Sequence, residues 1–215
     1  MPTDEPVPAE QFDDMAQQRR SIHLGMWAFL ATELLLFGGL FAGFTVYRVQ
    51  HGAVFAEAAT HLDLTLGSIN TALLLTSGLT LFAAEQAITD RHRGTGLLFL
   101  LATTLLGAVF LGIKGYEWYA EASHNLVPVL GWPFHYEGQS PAIAELFFNF
   151  YFIMTGLHAA HMLMGVIALG AMVFLVGRWR DAHKLDRQIR MVGLYWAFVD
   201  VVWIFVFTSL YLLRA

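Results

Sequence analysis

Five stretches of this chain stay apolar for twenty residues or more, at about 23–47, 64–88, 95–119, 143–176 and 192–213. A helix needs about 20 such residues to cross a hydrocarbon core of about 30 Å. Backbone polar groups inside lipid must bond within their own segment or around a closed barrel. None of the five stretches alternates polar and apolar residues as a barrel strand must. The expected fold is therefore an all-α membrane protein with five transmembrane helices over residues 23–215, preceded by a polar tail at 1–22. Composition agrees. Hydrophobic residues make up 57% and charged residues 13%, against roughly 25% charged in soluble domains. The chain has no cysteine, which removes disulfides and thiolate chemistry together. A net charge of -5 offers no basic face for nucleic acid. The tail holds Asp4, Glu5, Glu10, Asp13 and Asp14 and no apolar core, unlike a secretory signal.

Lysine and arginine near span ends set orientation. Arg19, Arg20, Arg91, Arg93, Arg178, Arg180, Lys184, Arg187 and Arg190 fall on one side, and Arg48 and Arg214 on the other. A bias of nine to two places the N-terminus and the polar tail in the cytoplasm. Five spans then carry the C-terminus outside. The fourth stretch is longer than a straight crossing needs, so tilt or a headgroup-level turn is expected there. The loop at about 120–142 has no lysine or arginine and is punctuated by Pro128, Gly131, Pro133 and Pro141. With Trp132, Phe134, His135 and Tyr136 it reads as an interfacial loop.

Ionisable groups at membrane depth are costly, so each is a functional hypothesis. Glu33 and Asp200 lie about ten and eight residues into their spans, at similar depth. Unpaired, each takes up a proton, as a proton-holding group or as a hydrogen-bonding group that locks helix packing. His158 and His161 are three apart and share a helix face. A bundle metal site uses that spacing with carboxylates from other helices, but the bland reading is two histidines hydrogen-bonded between helices, with no metal. Lys114 and Glu117 are also three apart and can neutralise each other. Glu145 and Asn149 enter span four at the same outer level, which gives a candidate outer polar cluster, read as structural. Glu85 reads as a solvated helix end. Gly39 and Gly43, with Gly25, Gly38, Gly156 and Gly165, are small-residue packing signals. Arg91, Arg93, Arg178, Arg180, Lys184, Arg187 and Arg190 are candidate contacts for anionic lipid headgroups.

No nucleotide loop, nucleophile motif or HExxH pair is present, so no catalytic residue is assigned. Two classes beside an accessory subunit remain open on the residues alone. A haem-binding anchor needs facing histidines. A proton-coupled transporter needs paired helix interruptions, and no proline lies inside any of the five spans.

Five motifs carry a family resemblance. They are Gly25-Met-Trp-Ala-Phe-Leu-Ala-Thr-Glu33-Leu-Leu-Leu-Phe37, Asn70-Thr-Ala-Leu-Leu-Leu-Thr-Ser77-Gly78 and Gly112-Ile-Lys114-Gly-Tyr-Glu117-Trp-Tyr119. Spans four and five add Thr155-Gly-Leu-His158-Ala-Ala-His161-Met-Leu-Met-Gly165 and Tyr195-Trp-Ala-Phe-Val-Asp200-Val-Val-Trp203-Ile-Phe. In this order they resemble subunit III of the haem-copper oxidases, the cytochrome c oxidase and quinol oxidase subunit III family, over about 23–213. The resemblance implies a non-catalytic accessory subunit in a bacterial cytoplasmic membrane. Haem and copper then belong to a partner, subunit I, against which this chain packs. Bound phospholipid, support of proton uptake and protection during turnover are implied as well. Glu33 matches the family's buried, carbodiimide-reactive glutamate, with His158 or His161 as expected neighbours. An equivalent subunit of a nitric oxide reductase is the nearest alternative. Longer members carry two extra N-terminal helices. The chain departs from the family pattern at Ala197 and at Glu85 and Gln86, where histidines are frequent, and at Lys114, where glutamine is.

Overall fold

The structure is a computed structural model that describes residues 14–128, 134–138, 140–178 and 182–212. Helix α1 runs Met15–Gln50, α2 Gly52–Ala59, α3 Leu64–Thr89, α4 Arg93–Ser123, α5 Pro141–Arg178 and α6 Ala182–Phe207. A π-helical turn, Thr208–Leu212, closes the described chain. Among the described residues there is no strand, and five helices are long and apolar enough to cross a membrane. The protein is therefore an all-α integral membrane protein, as the apolar stretches require.

The helix ends follow local chemistry. Asp63 caps α3, its Oδ1 accepting from the backbone N–H of Thr65 at 2.8 Å and of Leu66 at 3.1 Å. α3 stops at Arg91, whose φ of 66° turns the chain into the left-handed region. The His92 N–H then reaches back to the Ala87 carbonyl at 2.8 Å, closing a Schellman-type turn. α4 ends the same way at Asn125, with φ of 57° and Leu126 N–H donating to the Glu121 carbonyl at 3.1 Å. Proline opens α5, where the missing N–H has no helical partner to lose.

Two compact units divide the chain, Met1–Gly39 and Leu40–Ala215. The described part of the first is a single helical stretch of α1. It exposes Leu24, Trp27, Leu34 and Leu35, as a helix bathed in lipid or covered by another protein does. In the second unit α3, α4, α5 and α6 form a four-helix bundle, each in contact with the next and α6 returning to α3. α2 lies on α5. There Phe44, Phe55 and Phe147 meet edge to face or tilted, with centroids 5.5–6.3 Å apart.

Small residues let the bundle close, although fewer than the sequence pattern implies. Gly25, Gly38, Gly39 and Gly156 have nothing near the position of an added Cβ, and Gly43 only the Phe150 ring at 3.5 Å. Gly67, Gly78 and Gly96 are tight, and so are Gly107 and Gly165, which face Trp196. A Cβ there would stand 2.7 Å and 2.8 Å from the Trp196 ring. Of the glycines the sequence marked, Gly165 is a close-approach position, whereas those on α1 and Gly156 are not.

Candidate functional site

One stripe of α6 builds the bundle interior. Trp196, Asp200 and Trp203 recur at helical spacing and point inward, all buried. The π-helical turn carries one more residue per turn than an α-helix. It places Tyr211, eight positions after Trp203, on that inner face. Trp196 touches Gly107 of α4 and Gly165 of α5. Its Nε1 donates to Ser77 Oγ of α3 at 3.0 Å. Trp203 repeats the arrangement one layer on. Its Nε1 donates to Thr71 Oγ1 at 3.0 Å, and its ring meets Phe110 at 4.8 Å and His158 at 5.0 Å.

Next comes a buried ion pair, Lys114 Nζ to Glu117 Oε2 at 3.1 Å, with exposures of 1% and 2%. Two tyrosine hydroxyls complete it. Lys114 donates to Tyr151 Oη at 3.3 Å and to Tyr211 Oη. Both hydroxyls in turn donate to Glu117 Oε1, that of Tyr151 at 2.9 Å. The three ammonium protons are thus all used. Lys114 also lies 4.8 Å from the Tyr151 ring centroid and 5.1 Å from that of Tyr211, adding cation–π attraction. A ring of this kind is closed. The donors of Lys114, Tyr151 and Tyr211 are all matched within it.

The expected outer cluster is therefore rearranged. Glu145 and Asn149 are half-buried, and Asn149 Nδ2 donates to the Glu145 carbonyl on its own helix at 3.0 Å. At 3.6 residues per turn Asn149 sits about 200° round α5 from Tyr151, on another face. Tyr151 and Tyr211 take the places assigned to them. The signal for Tyr151 was available, since it precedes His158 by seven residues and so shares its face. Tyr211 is legible only with the π-helical turn.

His158 is enclosed by Phe110, at 5.6 Å, and Trp203, and neither ring nitrogen has a hydrogen-bond partner among the described residues. His161 Nδ1 meets the Leu157 carbonyl one turn back at 2.7 Å. The His158 imidazole is thus held by ring contacts, and that of His161 bonds back along its own helix. Asp200 is buried against Gly78, where an added Cβ would stand 2.6 Å from Oδ2. Its Oδ1 has no hydrogen-bond partner among the described residues. Glu33 lies in the first unit, half-buried among exposed leucines.

Of the arginines, Arg93 donates to the Val176 carbonyl, binding α4 to α5. Arg190 stands 3.9 Å from Glu85 in an exposed pair, worth little by itself. Glu85 is therefore partnered rather than merely solvated. Arg178 lies over the Phe174 ring. Arg91 is exposed and Arg187 half-buried. Arg180 and the Lys184 side chain lie outside the described residues, as do Gly131, Trp132 and Pro133 of the loop.

Beyond the ion pair, at the C-terminal end of α4, a cavity of about 350 Å³ is lined by His61, Glu121, His124, His135, Tyr136 and Glu137. Burial, then the nearby Glu57 carboxylate, push the Tyr136 hydroxyl above its usual range, so it stays protonated at neutral pH. Among the described residues no three His, Asp or Glu side chains stand close enough to form a ready metal shell.

The sequence profile of the family described as cytochrome c oxidase subunit III matches residues 11–214. A probable quinol oxidase subunit 3 of Staphylococcus epidermidis is 31% identical over 208 residues, covering 95% of each chain. A probable quinol oxidase subunit 3 of Staphylococcus aureus is 32% identical over 193 residues, covering 88% of each.

Proposed function

The chain belongs to the cytochrome c oxidase subunit III family, and from that premise we propose that it is the non-catalytic accessory subunit of a bacterial respiratory haem-copper terminal oxidase. Oxygen reduction, haem and copper then lie in a larger partner subunit. The observation that carries this reading is the match along nearly the whole chain. The ion pair closed by two tyrosines agrees with it, because this interior is built to hold helices together rather than to turn over a substrate. The relatives named as quinol oxidase subunits favour an oxygen-reducing partner supplied by quinol over a nitric oxide reductase.

The exposed apolar flank of α1 supplies the surface for the partner and for phospholipid tails. Arg91, Arg178 and Arg187 supply charge for anionic headgroups, on what the charge bias makes the cytoplasmic side. Glu33 on α1 and Asp200 on α6 are the membrane-depth carboxyls available to hold a proton and so to support proton uptake by the complex.

Support of turnover is measurable. Complex prepared without this chain is expected to begin at a comparable rate and then to inactivate several-fold faster during sustained oxygen consumption. Equal decay with and without the chain contradicts the proposed role.

A further inference from the structure

The cavity at the C-terminal end of α4 is not used by the account above. Glu121 lines it and is itself only 5% exposed, with no hydrogen bond or ion pair to its carboxylate among the described residues. Lys114, whose charge reaches Glu121, already spends its three protons on Glu117 and the two tyrosines. Glu137 adds an exposed carboxylate to the lining, and Glu57 stands beside Tyr136. Among the described residues no lysine or arginine lines the cavity. A buried carboxylate without a partner is costly, so this site favours a cation from outside the chain.

The walls say which kind. The carboxylates and imidazoles do not converge as the shell of a metal ion must. That leaves a cationic group carried by a larger molecule, which touches the walls at separate points. At about 350 Å³ the cavity falls in the size range of small-molecule sites. One wall is aromatic and held in place. Tyr136 is buried, with its ring edge-on to His61 at 5.5 Å and 6.4 Å from Phe148, and such a face attracts an organic cation. The carboxylate oxygens accept hydrogen bonds, as does an unprotonated imidazole nitrogen. They select an ammonium that still carries its protons. A quaternary ammonium offers them none and depends on a cage of several rings, whereas Tyr136 brings the one phenol ring of this lining.

We propose that this cavity binds a primary alkylammonium group, with Glu121 as its counter-ion, the Tyr136 ring as its apolar wall and Glu137 as a second acceptor. Two sources offer that group: the amino headgroup of a phospholipid, and a free alkyl amine. The cavity is built from the end of α4 and from the α2–α3 and α4–α5 connections, so the bound ammonium fastens both connections to the helix end.

The test uses the assembled complex, washed free of loosely held lipid, and compares wild type with Glu121→Gln. In one arm, radiolabelled 1,4-diaminobutane is titrated by equilibrium dialysis. In the other, the complex is mixed with micelles of equal phosphatidylethanolamine and phosphatidylcholine, washed, and its retained lipid counted by mass spectrometry. Amine and lipid held elsewhere in the complex are common to both proteins and cancel. Wild type is expected to hold one primary amine that Glu121→Gln binds about tenfold or more weakly. A difference in the first arm assigns a free amine, and a difference in phosphatidylethanolamine alone assigns the lipid headgroup. Equal binding by the two proteins in both arms overturns the proposal, and so does a site that takes phosphatidylcholine as well as phosphatidylethanolamine. Should Glu121→Gln fail to assemble, the exposed Glu137→Gln replaces it, with a loss of about threefold expected and unchanged binding as the contrary result. The readout is bound amine, so failure here leaves the accessory-subunit reading untouched.

Discussion

Lys114→Met is expected to destabilise the protein by about 3–5 kcal/mol, the usual cost of breaking a buried ion pair from one side. The stem of the side chain is nearly preserved, so packing changes little. What is lost is the counter-ion of Glu117, which is 2% exposed and has no water to turn to. The two tyrosine hydroxyls continue to donate to Glu117 Oε1, but Oε2 loses its donor and the pair's charge is uncompensated. A second substitution separates charge from shape. In Lys114→Met with Glu117→Gln, the side-chain amide oxygen still accepts from both tyrosines and no net charge remains. Most of the lost stability should return, because neutral replacements of buried pairs are often nearly neutral in free energy. Unfolding by SDS in mixed micelles, followed by the fluorescence of the six tryptophans, measures both. Equal loss in the single and double variants would show that the lysine stem, not its charge, matters there.

Trp196→Ala is expected to cost about 3–5 kcal/mol as well, by a different route. The ring fills the space that Gly107 and Gly165 leave open, so its removal creates a cavity between α4, α5 and α6. Little of the loss is polar, since Ser77 Oγ keeps its own donation to the Leu74 carbonyl at 2.6 Å. Trp196→Phe retains most of the ring and gives up the Nε1 bond to Ser77, for about 1 kcal/mol. The same SDS titration should therefore rank alanine well below phenylalanine. Alanine within 1 kcal/mol of wild type would mean that the four helices are held elsewhere.

The number of spanning helices was legible because burial of a backbone in lipid needs length and apolarity, and both are written in the sequence. Their ends were less so. α1 begins at Met15 and α6 at Ala182, several residues before the apolar stretches. Hydropathy marks the hydrocarbon, whereas a helix continues into the polar flank until a cap or a left-handed residue such as Asn125 stops it. α2 escaped notice because eight residues are too few to span anything.

In the interior, the Lys114 and Glu117 pairing follows from spacing on one helix alone. The partners that complete it do not. Tyr151 and Tyr211 lie 34 and 94 positions from Glu117 along the chain. Only the bundle, and the extra residue of the π-helical turn, bring their hydroxyls together. His158 shows the opposite error. Its spacing from His161 invited hydrogen bonds between helices, yet aromatic rings from α4 and α6 enclose it. The cavity at Glu121 gathers residues from two connections between helices, α2 to α3 and α4 to α5, where no periodicity exists to be read.

The central claim is membership of an assembly whose chemistry lies in another subunit. Purification of this chain from its own membrane in mild detergent, with mass spectrometry and an absorption spectrum of what accompanies it, tests that claim most directly. The account predicts a larger subunit carrying haem and copper, recovered in constant proportion to this chain. Recovery of the chain alone, stable, monodisperse and without haem-bearing partners, would contradict it.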